Sequence, residues 1–378
     1  MTGPFGENVL GHFGVVAIAR NEGERFRRCL DALRERAGGA TLVYVDSGST
    51  DGSVELARGR GVEVVALDLS IPFTAARARN AGFERLIAID PDVEFVQFLD
   101  GDCEVAQGWL EAAGKTLEAK PAAAVAFGHT RERFPEHSVY NRLADMEWKT
   151  IVDQGGPGGE AEWCGGNAAF RAVAFREAGG FNPSVPAGEE PELCQRLRSA
   201  GWKVIAVNAD MAWHDTAMFK FSQWAKRESR TGYGGLDFST RFGKPGDDPF
   251  KRQIVSARFW VIVWPLAVVA AVLPGAFAFG TPGALVFGVP VALAPIAQTL
   301  RIAARHRRPL KSPRLALAYG ALTILAKWPQ MYGQWLYLRD RKSGRHARVI
   351  EYKAIEVKIP AGEPSKAGSG FTANRYDL

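Results

Sequence analysis

Two hydrophobic periods alternate along the first half of the chain. Short apolar runs typical of buried strands occupy residues 13–19, 41–45, 62–67 and 95–99. Segments with apolar side chains at helical spacing, or with a capping sequence before them, occupy residues 24–36, 54–58 and 75–86. This alternation predicts an α/β domain with a mainly parallel sheet. In such a sheet, ligands lie beyond the carboxyl ends of the strands.

Acidic side chains stand where the predicted strands end. Glu22 and Asp46 follow the first two apolar runs, and the fourth run ends in Asp100-Gly101-Asp102. Two carboxylates on a stiff strand end can face one divalent cation, and a glycine between them lets a ligand come close. Because Asp-Gly-Asp is also common in turns, a solvated turn is the alternative.

The apolar pattern changes in the C-terminal third. Between Phe259 and Leu300 there is no charged residue, and Thr281-Pro282-Gly283 divides this stretch near its middle. At about 20 residues per crossing, it is long enough for two membrane spans. Basic residues flank both ends, which favours a hairpin with both flanks in the cytoplasm. An apolar core or an oligomer interface is the alternative.

Residues 315–338 contain several aromatic side chains but are interrupted by a lysine and a proline. Trp328, Tyr332, Trp335 and Tyr337 are residue types that favour the membrane–water interface, so an interfacial helix is predicted here. The chain therefore divides into an α/β domain over residues 1–245, membrane-associated helices over 246–340, and a basic, partly flexible tail over 341–378.

Composition agrees with a folded protein that lies against a membrane. The 378 residues are 47% hydrophobic and 23% charged, with a formal net charge of +6. The basic residues cluster beside the apolar C-terminal segments, which points to an anionic lipid surface and not to nucleic acid. The four cysteines form no C-x-x-C pair, so reduced thiols and no zinc site are expected.

Four segments together resemble a known family. In order along the chain they are Ala17-Ile18-Ala19-Arg20-Asn21-Glu22, Val45 to Ser53, Ala78-Arg79-Asn80-Ala81-Gly82 and Leu99-Asp100-Gly101-Asp102. They are similar to the nucleotide-sugar half of family 2 glycosyltransferases, which have the Rossmann-like GT-A fold with a mixed, mostly parallel sheet. The resemblance implies a nucleoside-diphosphate sugar donor and Mg²⁺ or Mn²⁺ as cofactor.

The resemblance also assigns roles to residues of the first half. Glu22 and Asp46 would contact the donor base, and Arg79 and Asn80 would lie near base or phosphate. Asp100 would approach the ribose or the sugar, and Asp102 would be the principal metal ligand. The remaining nucleotide-sugar contacts would come from Ala19, Asn21, Ser49 and Gly101. For Asp46 the alternative role is helix capping.

The second half of the predicted α/β domain also resembles this family. Two further strands are predicted within residues 120–127 and 204–207, and residues 154–159 are expected to form a mobile glycine-rich loop. Gly165, Gly166 and Asn167 resemble the segment that lines the donor sugar, and Trp163 is either a sugar platform or a core residue.

Glu189 and Glu190 resemble the acidic pair that supplies the catalytic base of inverting members. By position the base would be Glu190, with Glu189 as the alternative. Acids at a helix N-terminus also stabilise the helix dipole, which requires no catalytic role.

A histidine and a basic run complete the candidate residues. His214 resembles a histidine that helps to hold the metal or the diphosphate, although a lone histidine is often structural. Lys226, Arg227 and Arg230 precede a glycine-rich segment and would close over the diphosphate as a flexible loop, or lie on anionic lipid as a basic helix.

These features together predict an enzyme. It would be an inverting, metal-dependent glycosyltransferase on the cytoplasmic side of the inner membrane, with a lipid-linked glycan acceptor in surface polysaccharide or lipopolysaccharide synthesis. A synthase that places sugar directly on a polyprenyl phosphate, whose acceptor is already ionised, is one alternative. A non-catalytic nucleotide-sugar binding protein is another.

Overall fold

The computed structural model describes residues 12–153, 159–243 and 248–344. Its first part contains β1 (Phe13–Ala19), α1 (Glu24–Arg36), β2 (Thr41–Asp46), α2 (Ser53–Gly59), β3 (Glu63–Ala66), α3 (Ala75–Ile89), β4 (Phe95–Asp100) and β5 (Cys103–Val105). Then follow α4 (Trp109–Ala119), β6 (Ala123–Glu132), α5 (Val139–Asp153), β7 (Glu160–Ala161), β8 (Ala168–Arg171), α6 (Ala172–Glu177), α7 (Glu189–Ser199), β9 (Lys203–His214) and α8 (Phe221–Phe242).

The nine strands form one mixed sheet. Its order is β3-β2-β1-β4-β8-β6-β9-β5, with β7 paired to β9. The strands β1 to β4 run parallel, as predicted, whereas β8 is antiparallel to both of its neighbours. In the register, Ala19 lies beside Asp46, and Ile18 lies beside Asp100. The carboxyl ends of the central strands therefore meet at one edge, where the acidic residues were expected.

The core is continuous through both halves of the sheet. The strand β1 is buried along nearly its whole length, which explains its unbroken apolar run. A Cβ at Gly82 of α3 would lie 2.2 Å from Val16 Cγ1, so this glycine lets the helix press onto the sheet. Phe98 of β4 contacts the rings of Phe170, Phe175 and Phe181 at centroid distances of 5.5, 5.1 and 5.4 Å. These rings join the first half of the sheet to the second.

Two local predictions need correction. The strand expected at residues 204–207 extends to His214, because β9 pairs with β6 along its length and with β5 at residues 212–214. The segment with Lys226, Arg227 and Arg230 is not a flexible loop but part of the 22-residue helix α8. Its glycines serve close packing: a Cβ at Gly232 would lie 2.0 Å from the carbonyl oxygen of Gln330.

The C-terminal part is helical. It contains α9 (Lys251–Arg258), a π-helical segment (Phe259–Val263), α10 (Trp264–Ala292), α11 (Ala294–Leu310), α12 (Pro313–Leu325) and α13 (Lys327–Ser343). The α10 backbone leaves helical geometry at Gly280, with φ 64° and ψ −152°. There the chain reverses, since the Trp264 indole N–H donates to the Val291 carbonyl at 2.9 Å and the Phe279 and Phe287 rings lie 6.4 Å apart.

The two arms of α10 expose apolar side chains on their outer faces. Leu266 is 63% exposed, and Phe277, close to the reversal, is 95% exposed. The helical stretch Lys251–Arg308, which is interrupted at Gly280, is long and apolar enough to cross a membrane, judged by length and composition. Two crossings by this hairpin stay a prediction.

The segment predicted as one interfacial helix is divided into α12 and α13, which meet at Ala326. Trp328, Tyr332 and Trp335 are exposed, whereas Tyr337 is buried in T-shaped contact with Tyr233 at 5.4 Å. Tyr337 therefore belongs to the α8–α13 interface and not to an aromatic belt. The predicted loop at 154–158 and most of the predicted tail, from residue 345 onward, lie outside the described residues.

Candidate active site

A cleft of about 1110 Å³ opens at the carboxyl ends of β1 and β4. Both halves of the sheet line it, and so does α8. Most of the residues predicted for the site line this cleft: Ala19, Asn21, Glu22, Arg79, Asp100, Gly101, Asp102, Gly165, Gly166, Asn167, Glu189, Glu190, His214 and Arg227. The other predicted residues, Asp46, Ser49 and Asn80, do not line it.

Asp46 shapes the loop that borders the cleft. Its buried carboxylate accepts hydrogen bonds from the Tyr44 hydroxyl at 2.6 Å and from the Gly48 backbone N–H at 3.0 Å. The Ser49 hydroxyl in turn accepts from the Asn21 backbone N–H at 3.0 Å. Asp46 and Ser49 thus stabilise two neighbouring loops. For Asp46 this is a local structural role, similar in kind to the helix capping that was its alternative.

Asn80 joins α3 to the segment before α7. Its side-chain amide donates to the Phe181 carbonyl at 2.7 Å, and its amide oxygen accepts from the Phe181 N–H at 2.9 Å. Both polar groups of the side chain are therefore used within the protein.

Arg79 connects acids from distant parts of the chain. Its guanidinium, 2% exposed, pairs with Asp100 at 2.9 Å, Glu189 at 3.0 Å and Glu190 at 3.1 Å. A Cβ at Gly166 would lie 2.5 Å from Arg79 Nη2, so only glycine leaves room beside this cluster. One buried cation thus pairs with three carboxylates that surround the middle of the cleft.

The two glutamates of this cluster differ in environment. Burial first, and then the negative charge of Glu189, raise the pKa of Glu190 to about 7, while the positive charge of Arg79 opposes the shift. The Glu190 side chain is 15% exposed and that of Glu189 is 2% exposed. A carboxylate with a pKa near neutral pH that can be reached from the cleft is suited to accept a proton.

Asp102 and His214 meet because β5 pairs with β9. Asp102 directly precedes β5, His214 is the last residue of β9, and Cys103 lies opposite His214 in the register. Asp102 Oδ2 and His214 Nε2 are 3.1 Å apart. Cys103 Sγ is close to both, but burial raises its pKa well above the usual range, so it remains a neutral thiol and a poor ligand. One carboxylate and one imidazole are donors that Mn²⁺ or Mg²⁺ accepts, so the site fits such an ion.

Asp100 points differently from Asp102. One of its oxygens accepts from Arg79, and its backbone N–H donates to Asn167 Oδ1 at 2.8 Å. Asp100 therefore lies between the candidate metal ligands and the candidate base. Asn167 also donates to Cys103 Sγ at 3.2 Å and so links the predicted sugar-lining segment to both strand ends.

The helix α8 brings Arg227 and Arg230 to the cleft wall. Arg227 pairs with Glu147 of α5 at 2.9 Å, and Arg230 Nη2 lies 3.9 Å from Glu189 Oε1. Trp163, by contrast, stacks on Phe250 at 5.6 Å and does not line the cleft, which supports its interpretation as a core residue.

Three residues at the site were missed by the sequence analysis. Glu132 and Thr216 form a buried hydrogen-bond group behind His214, and Trp148 makes a T-shaped contact with the His214 ring at 4.6 Å. None belongs to a motif, and only the parallel pairing that sets Glu132 of β6 beside His214 of β9 brings the group together.

Comparisons with known proteins agree with this architecture. Residues 14–179 match the family model "Glycosyl transferase family 2". Glycosyltransferase AglE of Haloferax volcanii is 22% identical over 266 residues, which cover 68% of this chain and 82% of AglE. Succinoglycan biosynthesis protein ExoA of Rhizobium meliloti is 25% identical over 202 residues, or 50% of this chain and 59% of ExoA.

Among solved structures, the mannosyltransferase PcManGT from Pyrobaculum calidifontis, in complex with GDP-Man and Mn²⁺, superposes with a TM-score of 0.54 at 19% identity. The match covers 87% of this chain and 88% of the other. At this identity the likeness shows the fold, which is GT-A. The family match extends from β1 to α6, and it follows that residues 14–179 of this chain are a glycosyltransferase domain of family 2.

Proposed function

We propose that this glycosyltransferase is an inverting, metal-dependent enzyme that moves a sugar from a nucleoside diphosphate to a hydroxyl of a lipid-linked glycan. The observation that carries the proposal is the joining of Glu190 to Asp100 through Arg79 within the cleft that Asp102 and His214 also line. A candidate base, a candidate sugar contact and a candidate metal site therefore lie in the same cleft.

Each group has a defined role in the proposed reaction. Glu190 accepts the proton of the acceptor hydroxyl while that oxygen attacks the anomeric carbon. The new C–O bond forms on the face opposite the bond to phosphate, which breaks, so the configuration inverts. Asp102 and His214 would hold a divalent cation, which supplies charge neutralisation for the departing diphosphate. Asp100 and the Gly165-Gly166 segment would orient the donor sugar.

Several observations support the proposed donor, metal, acceptor and membrane attachment. The structure of PcManGT contains GDP-Man and Mn²⁺, and the name of ExoA refers to succinoglycan biosynthesis. The exposed apolar arms of α10 and the basic residues Arg301, Arg305 and Arg308 after them fit attachment to an anionic membrane, with the catalytic domain on the cytoplasmic side of the inner membrane.

The test uses the full chain, purified in detergent, with UDP-, GDP- and dTDP-sugars and Mn²⁺. Released nucleoside diphosphate is measured with water as acceptor and again with an added polyprenyl phosphate. We expect one donor class to be turned over by the wild type and by Glu189→Gln, but not by Asp102→Asn or Glu190→Gln.

Other outcomes have distinct meanings. Transfer to polyprenyl phosphate by Glu190→Gln at the wild-type rate would replace the proposal with a polyprenyl-phosphate sugar synthase, whose ionised acceptor needs no base. Donor binding without turnover under any condition would indicate a non-catalytic binding protein. Failure to bind any of these donors would overturn the proposed donor class.

A further inference from the structure

A buried hydrogen-bond chain runs from Glu132 through Thr216 to His214. The Thr216 hydroxyl bonds to Glu132 Oε2 and lies 3.1 Å from His214 Nδ1. On the other side of the imidazole, Nε2 is 3.1 Å from Asp102 Oδ2. All four side chains are at most 8% exposed. The directions of these hydrogen bonds decide which nitrogen of His214 carries the proton.

The Glu132 carboxyl group is the acceptor in each of its recorded hydrogen bonds. Its Oε1 receives the Phe134 backbone N–H at 3.1 Å and the Asn141 side-chain amide at 3.2 Å, and its Oε2 receives the Thr216 backbone N–H at 3.1 Å. These three donors carry fixed protons, so the carboxyl group is held as an acceptor of all of them. The Thr216 hydroxyl likewise donates to Glu132 Oε2.

The proton on Nδ1 of His214 follows from this direction. Because the Thr216 hydroxyl gives its only proton to Glu132, it faces His214 with a lone pair. Nδ1 must therefore donate, and a neutral imidazole with a proton on Nδ1 has none on Nε2. His214 Nε2 and Asp102 Oδ2 then present lone pairs to each other across 3.1 Å.

We propose that Glu132 and Thr216 are positioning residues that fix the Nδ1–H tautomer of His214 and so keep His214 Nε2 and Asp102 available for a divalent cation. Two facing lone pairs repel each other, and a cation bound by both removes that repulsion. The T-shaped contact with Trp148 holds the ring plane at the same time. This inference rests on the proposed metal-dependent function and adds how the chain prepares that site.

The decisive substitution is Thr216→Val, with Thr216→Ser as its matched control. Valine keeps the volume but removes the hydroxyl, so Nδ1 loses its acceptor and the proton can move to Nε2, where Asp102 accepts it. Serine keeps the hydroxyl and therefore the hydrogen-bond chain from Glu132 to His214. Mn²⁺ binding to the full chain, without donor, is measured from the electron paramagnetic resonance signal of free Mn²⁺. Loss of a group that orients a metal ligand typically weakens binding about 10–100-fold.

We expect weakening of that size for Thr216→Val and wild-type binding for Thr216→Ser. In metal-free protein with ¹⁵N-labelled histidine, the His214 signals should show the Nδ1–H tautomer in the wild type and lose it in Thr216→Val. A role limited to folding stability would not move the tautomer signal of a folded protein.

The outcomes separate this inference from the proposed function. If the wild type binds no Mn²⁺, the metal site of the proposed function fails, and the ¹⁵N spectra still decide the tautomer. If wild type and Thr216→Val bind Mn²⁺ equally, or if the wild type shows the Nε2–H tautomer, the inference is overturned. Should Thr216→Val fail to fold, Glu132→Gln serves in its place, because an amide there puts a donor where an acceptor is required and should weaken Mn²⁺ binding likewise.

Discussion

At the scale of single residues, the site depends on one buried arginine that pairs with several carboxylates. Arg79 pairs with Asp100, Glu189 and Glu190, so three carboxylates share one positive charge. Glu189 and Glu190 are adjacent, and the charge of the first disfavours ionisation of the second. The same arrangement that holds the candidate base in place therefore also keeps its proton affinity high.

This arrangement predicts the pH dependence of turnover. The base form of Glu190 is lost as pH falls through its pKa of about 7, so kcat/KM should decrease on the acid side of neutrality. Glu189→Gln removes the neighbouring negative charge, which lowers the pKa of Glu190 and moves the acid limb to lower pH. Initial rates with the preferred donor across a pH series test this. An acid limb at the same pH in both proteins would contradict the assignment of Glu190 as the base.

At the scale of elements, α8 connects the cleft to the C-terminal helices. Arg227 and Arg230 line the cleft from α8, and the same helix packs closely on α13. A Cβ at Gly232 would lie 2.0 Å from the Gln330 carbonyl oxygen, and one at Gly333 would lie 2.0 Å from the Ser229 carbonyl oxygen. Gln330 also donates to the buried Glu228 carboxylate at 2.7 Å. The two backbones can approach this closely only with glycine at both positions.

Gly232→Ala should therefore push the two helices apart. The cost of such overpacking is about 1–3 kcal/mol, which exceeds the gain of about 1 kcal/mol from alanine's higher helix propensity. We expect a lower melting temperature and a raised KM for the donor, because the arginines of α8 move with the helix. Gly59→Ala in α2 is the matched control, since a Cβ there meets nothing within 4 Å. Equal melting temperatures for the two variants would show that the contact between α8 and α13 tolerates a methyl group.

At the scale of the whole molecule, the α/β part of the chain packs against the C-terminal helices α9, α12 and α13. The helix α13 contacts α8 and α9, and Ala326, where α12 meets α13, packs in a cluster with Ala144 of α5, Met218 and Trp224. The apolar arms of α10 instead turn most of their side chains outward. The described part of the protein therefore presents an apolar face that is continuous in sequence but separate from the core of the sheet.

If that face enters a bilayer, charges placed on it should release the protein. Val269→Asp and Leu285→Asp each put a carboxylate on an arm of α10, at positions that are 51% and 57% exposed. A charge at the centre of a membrane helix costs about 2.5–3.5 kcal/mol. We expect the double variant to float poorly with anionic phospholipid vesicles and to be extracted by alkaline carbonate. Val173→Asp, at a 48% exposed position on α6, should behave as the wild type. Unchanged flotation of the double variant would exclude insertion of this hairpin.

The sequence by itself determined the features that depend on local pattern. The alternation of strand and helix predicts the parallel half of the sheet, because each element's period is read from its own residues. The positions of Glu22, Asp100 and Asp102 at strand ends follow from the same pattern, since parallel strands end at one edge of a sheet. The family resemblance carried by these short motifs agrees with the family match and with the GT-A fold.

Only the tertiary structure decided which of these side chains face the cleft and which partners they have. Asp46 and Asn80 use their polar groups within the protein, although their motifs suggest ligand contacts. Arg79 meets Glu189 at a separation of 110 residues, and Glu132 meets Thr216 at a separation of 84. Such contacts arise from strand pairing and helix packing across the chain. Local periodicity carries no information about them, because it describes how a segment folds and not what the folded segment will touch.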